Sequence, residues 1–260
     1  MKKIVLFDMD GTLTESRGNM GCEIERSLAL LQKHGFEIGI ISGSDMNYIA
    51  QQCNILFDLS PVDAHKIHFL PCNGTKYMYN HSLKYDSNMR LNMYSKNWRL
   101  LLSFLSSRQS YFAVEKAQAH SLALTGHFIS YRDSMINWCP IGRNANSQDR
   151  EEFVRYDKES DLRKAFLNEI KDFIKSHGMN LTVKLGGDTS FDIFPNGWDK
   201  TYPITVKNLF EDYEIYFVGD RCYPNGNDDE LFSHERVKGF KTESPEETIE
   251  IIKQIIGEHP

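Results

Sequence analysis

Asp8 and Asp10 flank a single methionine in the run Phe7-Asp8-Met9-Asp10-Gly11-Thr12-Leu13-Thr14. Two carboxylates this close repel each other unless a cation lies between them. A hard divalent ion meets that need, and Mg²⁺ is the usual choice where phosphate oxygens complete its shell. An aspartate held beside such an ion can attack phosphorus and form an aspartyl-phosphate. That chemistry makes Asp8 the nucleophile and Asp10 the group that moves a proton to or from the oxygen of the second reactant. Asp and Gly in this pattern are also good turn formers, so the pair alone leaves a purely structural role open.

The elements around the pair favour the chemical role. Ile4 to Phe7 read as a buried strand that ends where the Asp-rich loop begins, the place where open α/β sheets put their ligands. Ile24, Leu28 and Leu31 then mark one face of a helix stopped by Gly35. A second apolar run, Ile38-Gly39-Ile40-Ile41, follows at once. Strand, helix and strand in close succession predict a parallel sheet covered on both faces. Another helix starts near Ser44 or Asp45, and Pro71-Cys72-Asn73-Gly74 reads as a turn.

From about residue 85 to 197 the chain becomes more polar. Strand candidates fall at 126–131, 135–139, 181–185 and 191–194, around one strong helix carrying Leu162, Phe166, Ile170, Phe173 and Ile174 and ending at Gly178. The α/β pattern returns with Glu214 to Val218, a strand opening into Gly219-Asp220. It closes on a helix whose Ser244-Pro245-Glu246-Glu247 start is a capping box. The predicted fold is therefore an α/β, Rossmann-like parallel-sheet core, 1–84 and 198–260, interrupted by an inserted α+β cap domain over 85–197.

Composition sets the outer bounds. A formal net charge of −6 argues against nucleic-acid binding, which needs clustered Lys and Arg. Five scattered cysteines with no Cys-x-x-Cys spacing indicate neither a disulfide framework nor a zinc site. No run approaches the ~18 consecutive apolar residues of a membrane span. The expectation is a soluble, cytoplasmic enzyme acting on a small molecule.

With these residues in view, the sequence resembles the haloacid dehalogenase superfamily, whose first motif is Asp-x-Asp-Gly-Thr after the first strand. Three further motifs follow in order. Ser42, with Ser44 as a rival, would bind the phosphoryl group; Lys200 in Trp198-Asp199-Lys200 would neutralise Asp8; and Asp220 would bring a further carboxylate to the Mg²⁺ held by Asp8 and Asp10. Asp228 belongs to the same acidic segment, in direct contact with the metal or one layer out. On local sequence alone, Ser44 and Asp45 are ordinary helix-capping residues.

The resemblance is closer to the eukaryotic-type phosphomannomutases and covers nearly the whole length. It is carried by Arg132-Asp133-Ser134-Met135-Ile136-Asn137 with Pro140 to Arg143, by Gly186 to Lys200, and by Gly219 to Asp228. It implies that Arg17, Arg132, Arg143, Arg150, Ser190 and Asp192 hold the sugar and the phosphate that is not being transferred. Arginine offers permanently charged, bidentate contacts suited to phosphate. The implied reaction interconverts mannose 6-phosphate and mannose 1-phosphate through a hexose 1,6-bisphosphate, which also acts as activator, in a homodimer formed through the cap. A sugar-phosphate phosphatase, a phosphoglucomutase and a catalytically silent binding protein are the rival expectations. Two departures stand out. Ser42-Gly43-Ser44-Asp45 replaces the family's Gly-Gly-Ser-Asp, and His234 and Val237 replace an Asp and a Thr, which places any second cation site there in doubt.

Overall fold

The computed structural model describes residues 1–58, 60–224 and 226–258. In chain order, β1 (Lys2–Phe7), α1 (Cys22–Lys33), β2 (Phe36–Ile41), α2 (Met46–Gln52), β3 (Ile67–Leu70), β4 (Lys76–Tyr79) and β5 (Ser82–Asp86) come first. The middle of the chain carries α3 (Ser95–Tyr111), a π-helical stretch Phe112–Ala117 and α4 (Gln118–His120), then β6 (Ile129–Tyr131), β7 (Ile136–Trp138), α5 (Ser147–Ser160), α6 (Leu162–Ser176), β8 (Leu181–Gly186) and β9 (Ser190–Pro195). The chain finishes with α7 (Tyr202–Thr205), β10 (Tyr213–Gly219), α8 (Asp229–Phe232), β11 (Val237–Lys241) and α9 (Pro245–Gly257). Two compact units result: Met1–Ser87 with Gly197–Pro260, and Asn88–Asn196.

The first unit is built on a seven-stranded sheet of order β11-β10-β1-β2-β3-β4-β5. Its five strands from β11 to β3 are parallel, and the hairpin β4–β5 adds an antiparallel edge. The continuous apolar run of β1 has a direct cause: its two faces are buried against different clusters. Val5 and Phe7 pack with Ile24 and Leu28 of α1 and Ile252 and Ile255 of α9. Ile4 and Leu6 pack on the other side with Ile204, Phe217 and Leu231. Side-chain alternation along a strand makes both faces apolar only when both are covered. Ser244 caps α9 as the sequence implies, its hydroxyl accepting from the Glu247 amide at 3.3 Å, while the Glu247 carboxylate accepts from the Glu243 amide at 2.6 Å, one residue before the one a full capping box would use.

The second unit is an antiparallel sheet of order β6-β7-β9-β8 with helices packed on it. Leu162, Phe166, Ile170 and Ile174 form the buried stripe of α6. Phe166 meets Trp138 of β7 and Phe191 of β9, with ring centroids at 5.1 and 6.4 Å, and these two rings stack on each other at 5.0 Å. Two long helices here, α3 and α5, escape the sequence reading. Leu101 and Leu105 are the only buried residues of α3, and Phe153 the only one of α5, so neither shows an apolar stripe wide enough to declare a helix. The strand expected from 126 starts only at Ile129, because Thr125 instead donates its amide to the Ile141 carbonyl at 2.9 Å.

Phe166 is 1% exposed at the centre of this aromatic group. Phe166→Ala should lower the unfolding free energy of the second unit by about 3–5 kcal/mol, through lost transfer energy plus the cavity left behind, read as a fall in the urea midpoint at unchanged slope.

Candidate active site

Asp8 stands one residue beyond β1, and its amide still donates to the Val218 carbonyl of β10 at 2.9 Å. The backbone then coils tightly, with the amides of Thr12, Leu13 and Thr14 all donating to the Met9 carbonyl. Gly11 sits in this loop at φ +84°, and a Cβ there would lie 2.6 Å from Asp220 Oδ2. Glycine is thus required twice over, for its left-handed backbone and for the approach of Asp220 from the end of β10. Asp228, just before α8, and Lys200, just before α7, complete the group, and both are buried.

The carboxylates of Asp8, Asp220 and Asp228 place one oxygen each within 4.8 Å of one another. Lys200 Nζ donates to Asp8 Oδ1 and, at 2.5 Å, to Asp228 Oδ1. Asp228 Oδ2 accepts from the Arg221 amide at 3.0 Å. Asp220 is less well served. Its Oδ2 lies 3.6 Å from Arg221 Nε, and its buried Oδ1 has no hydrogen-bond partner.

Charge follows the same lines. Burial pushes the Asp8 carboxyl well above the usual carboxylate range; Lys200 pulls it down, while Asp228 and Asp220 push it further up. Burial and then Asp228 raise Asp220 as well. Burial alone would lower the Lys200 ammonium, yet Asp228 and Asp8 outweigh it and the net displacement is upward. Three acids face one buried ammonium, so the group is short of positive charge. An orphaned carboxylate oxygen in an all-oxygen donor set is what a hard divalent cation fits. Among the described residues no other group of three or more acidic, histidine or cysteine side chains is placed to hold a metal, and Phe232 to Val237 contributes none.

Asp10 is not part of this group. Its Oδ1 accepts from the Arg17 amide at 2.9 Å and from the Tyr48 hydroxyl at 3.2 Å. Asp8 and Asp220 of the expected Asp8, Asp10, Asp220 set thus come together with Asp228, while the Asp10 side chain bonds elsewhere. The Asp10 side chain points to other partners because its loop turns back on itself, bridging Asp10 to Thr14.

Ser42 directly follows β2 and is 3% exposed, with its hydroxyl accepting from the Ser44 amide at 3.1 Å. Ser44 does not cap α2; Asp45 does, accepting from the Tyr48 amide at 2.9 Å. The neighbouring turn after β3 has Cys72, Asn73 and Gly74 all at positive φ. Asn73 bonds back to the Ser42 carbonyl at 2.8 Å, so the two loops brace each other.

In the second unit, several of the sequence candidates are joined by hydrogen bonds. Arg143 Nη1 donates to Asn137 Oδ1 at 3.0 Å, and Asn137 Nδ2 donates to Asp192 Oδ1 at 2.7 Å. Arg150 donates through Nε, Nη1 and Nη2 to Ala145 O, Thr189 Oγ1 and Arg143 O. Ser190 points its hydroxyl at the Gly186 carbonyl, 2.6 Å away, and Arg132 stands on the β6–β7 hairpin with Nη1 4.0 Å from Met135 Sδ.

Tyr48 and Asn137 have no role in the sequence reading. Asn137 is the register partner of Asp192 across β7 and β9, a pairing that no local window of sequence contains. Nothing local marks Tyr48, which reaches Asp10 only because β1 and β2 are neighbours. Asn225, within the acidic segment, lies outside the described residues.

Residues 25–258 match the family described as eukaryotic phosphomannomutase. The chain is 35% identical over 260 residues to the phosphomannomutase of Saccharomyces cerevisiae, covering 98% of this chain and 94% of that one. Among solved structures, the IMP-bound, N-terminally truncated IMP-nucleotidase of Plasmodium falciparum aligns with a TM-score of 0.60 at 14% identity, over 98% of this chain and 68% of that one. A haloacid dehalogenase-like hydrolase from Bacteroides thetaiotaomicron aligns with a TM-score of 0.55 at 14% identity, over 98% and 100% of the two chains. The structures share the fold, while the sequence agreement runs through both compact units: the chain belongs to the eukaryotic phosphomannomutase family.

Proposed function

We propose that this protein is a phosphomannomutase that interconverts mannose 6-phosphate and mannose 1-phosphate by carrying the phosphoryl group on Asp8. The observation that carries the reading is the buried Lys200 ammonium bonded to Asp8 beside the under-compensated carboxylates of Asp220 and Asp228. A nucleophilic carboxylate in a dry site needs a fixed cation, both to stay ionised and to accept the charge that develops on the phosphoryl oxygens.

Asp8, Asp220 and Asp228 would hold Mg²⁺, which when bound supplies charge stabilisation on the phosphoryl oxygens. Phosphorylated Asp8 donates to a hydroxyl of the hexose monophosphate, and Asp10 takes the proton of that hydroxyl. The resulting hexose 1,6-bisphosphate reorients, and Asp8 attacks its other phosphorus. The bond from that phosphorus to the sugar oxygen breaks, and Asp10 returns the proton to it. Lys200 stays charged throughout. The hydroxyl of Ser42 and the amides of the Ser42-Gly43-Ser44 loop receive the phosphoryl group, and Arg17 contributes a positive charge from the same unit.

Arg132 and Arg143 bind the phosphate that is not being transferred, Arg150 shapes the loop that carries Arg143, and Ser190 and Asp192 bond sugar hydroxyls. A hexose 1,6-bisphosphate primes the enzyme by phosphorylating Asp8. A homodimer through the second unit, a cytoplasmic setting and supply of activated mannose such as GDP-mannose complete the reading. No helix among the described residues is long and apolar enough to cross a membrane.

The test is ³¹P NMR of the protein with Mg²⁺, mannose 1-phosphate and a trace of glucose 1,6-bisphosphate. A mannose 6-phosphate signal should grow, and Asp8→Asn should abolish it; inorganic phosphate alone would establish a phosphatase instead. Lys200→Met should reduce kcat on the order of 10³-fold. The same change strands the Asp8 and Asp228 carboxylates in the interior, so the urea midpoint should fall by an amount equivalent to about 3 kcal/mol. Removing divalent cations with a chelator should abolish turnover and lower Tm, and Mg²⁺ should restore both; a Tm indifferent to Mg²⁺ would count against the Asp8, Asp220, Asp228 site.

A further inference from the structure

Asp10 carries two donors on a single oxygen. The amide of Arg17 and the hydroxyl of Tyr48 both point at Oδ1, at 2.9 and 3.2 Å, and among the described residues Oδ2 accepts no hydrogen bond. Arg17 reaches this position from a left-handed backbone conformation, φ 63°, which costs a non-glycine residue energy and is kept where the surroundings require it. Tyr48 is held just as firmly. Its own amide is tied to Asp45 Oδ1 at 2.9 Å in the first turn of α2, and its ring packs on the main core cluster with Met46. One carboxylate oxygen therefore holds two donors and the other holds none among the described residues.

We infer that Tyr48 is a positioning residue for proton transfer by Asp10, fixing the carboxyl so that Oδ2 exchanges the proton with the sugar oxygen. The inference rests on the role given to Asp10 above and does not require the isomerisation itself. When Asp8 attacks a sugar phosphate, the new bond forms between an Asp8 oxygen and phosphorus. The bond from phosphorus to the sugar oxygen breaks, and the proton on Asp10 Oδ2 moves to that oxygen. Asp10 is left as a carboxylate, and the donors on Oδ1 stabilise the charge it has just acquired while preventing rotation about the terminal torsion. In the reverse direction the same carboxylate receives the proton of the attacking hydroxyl. The 3.2 Å separation is loose for a hydroxyl on a carboxylate; catalytic hydrogen bonds of this kind tighten once substrate is bound.

The dependence on leaving group separates this role from simple packing. A sugar alkoxide departs only with a proton, whereas the carboxylate leaving group of acetyl phosphate departs without one. Single-turnover phosphorylation of Asp8 in the presence of Mg²⁺ is measured by rapid quench with glucose 1,6-bisphosphate and, separately, with acetyl phosphate, for the wild type, Tyr48→Phe and Asp10→Asn. Tyr48→Phe should slow transfer from the bisphosphate about tenfold while leaving the acetyl phosphate rate within about twofold. Asp10→Asn should show the same selectivity in exaggerated form.

Equal losses from both donors would make Tyr48 a packing residue only, and no loss from either would remove it from the mechanism; each overturns the inference. If Asp10→Asn slows neither donor selectively, Asp10 is not the proton carrier and the inference falls with that role. A wild type that accepts phosphate from the bisphosphate yet never converts mannose 1-phosphate would break the mutase reading and leave the part played by Tyr48 standing.

Discussion

A lysine ammonium with no solvent exposure is tolerable only when carboxylates surround it, and Lys200 meets that condition through Asp8 and Asp228. Removing a charge from water costs several kcal/mol, and the attraction to buried partners offsets this only when the geometry is good and the remaining polar atoms are satisfied. Much of the first unit can be understood as the scaffold that meets this requirement. The parallel pairing of β1 with β10 carries Asp8 and Asp220 to the same end of the sheet. Gly11 lets Asp220 come within reach of the Asp8 loop, and Gly74, whose Cβ would lie 2.2 Å from the Pro203 ring, lets the turn after β3 pass close to the helix that follows Lys200. The pairing is incomplete on one side, at Asp220, and that is the side where a divalent cation fits.

Asp8 and Asp10 share a loop but not an environment. Asp8 is 4% exposed and faces acids and an ammonium, whereas Asp10 is half-buried and bonded by neutral donors. Two like side chains are thereby given different surroundings, and surroundings of this kind suit paired carboxylates to different tasks. The division depends on the local loop, in which Asp10 bonds to the Arg17 amide and to Tyr48 of α2 and not to Lys200.

The second unit uses a different device. Two of its charged candidates are linked through a neutral amide: Arg143 donates to Asn137, and Asn137 donates to Asp192. An arginine in such a link keeps its charge, because the guanidinium does not lose its proton in proteins. Arg150 spends its donors on the backbone of the Arg143 loop and on Thr189, which makes it the residue that holds the loop in shape.

The local signals in this chain were strong wherever one element buries a full face. The β1 run, the α1 and α6 stripes and the Ser244 cap of α9 are all written in consecutive residues, because strand alternation, helical periodicity and end-capping act over a few positions. The meeting of Asp8, Lys200 and Asp220 was legible for a related reason: each stands at the end of a strand or just before a helix, where motif and geometry coincide. Helices α3 and α5 were not legible, since they expose most of their surface and bury too few side chains to leave a period. Nor was the bond of Lys200 to Asp228, or the clamp of Tyr48 on Asp10. Those follow from pairing β1 with β2 on one side and β10 on the other, and strand order is settled by long-range packing that no local window contains.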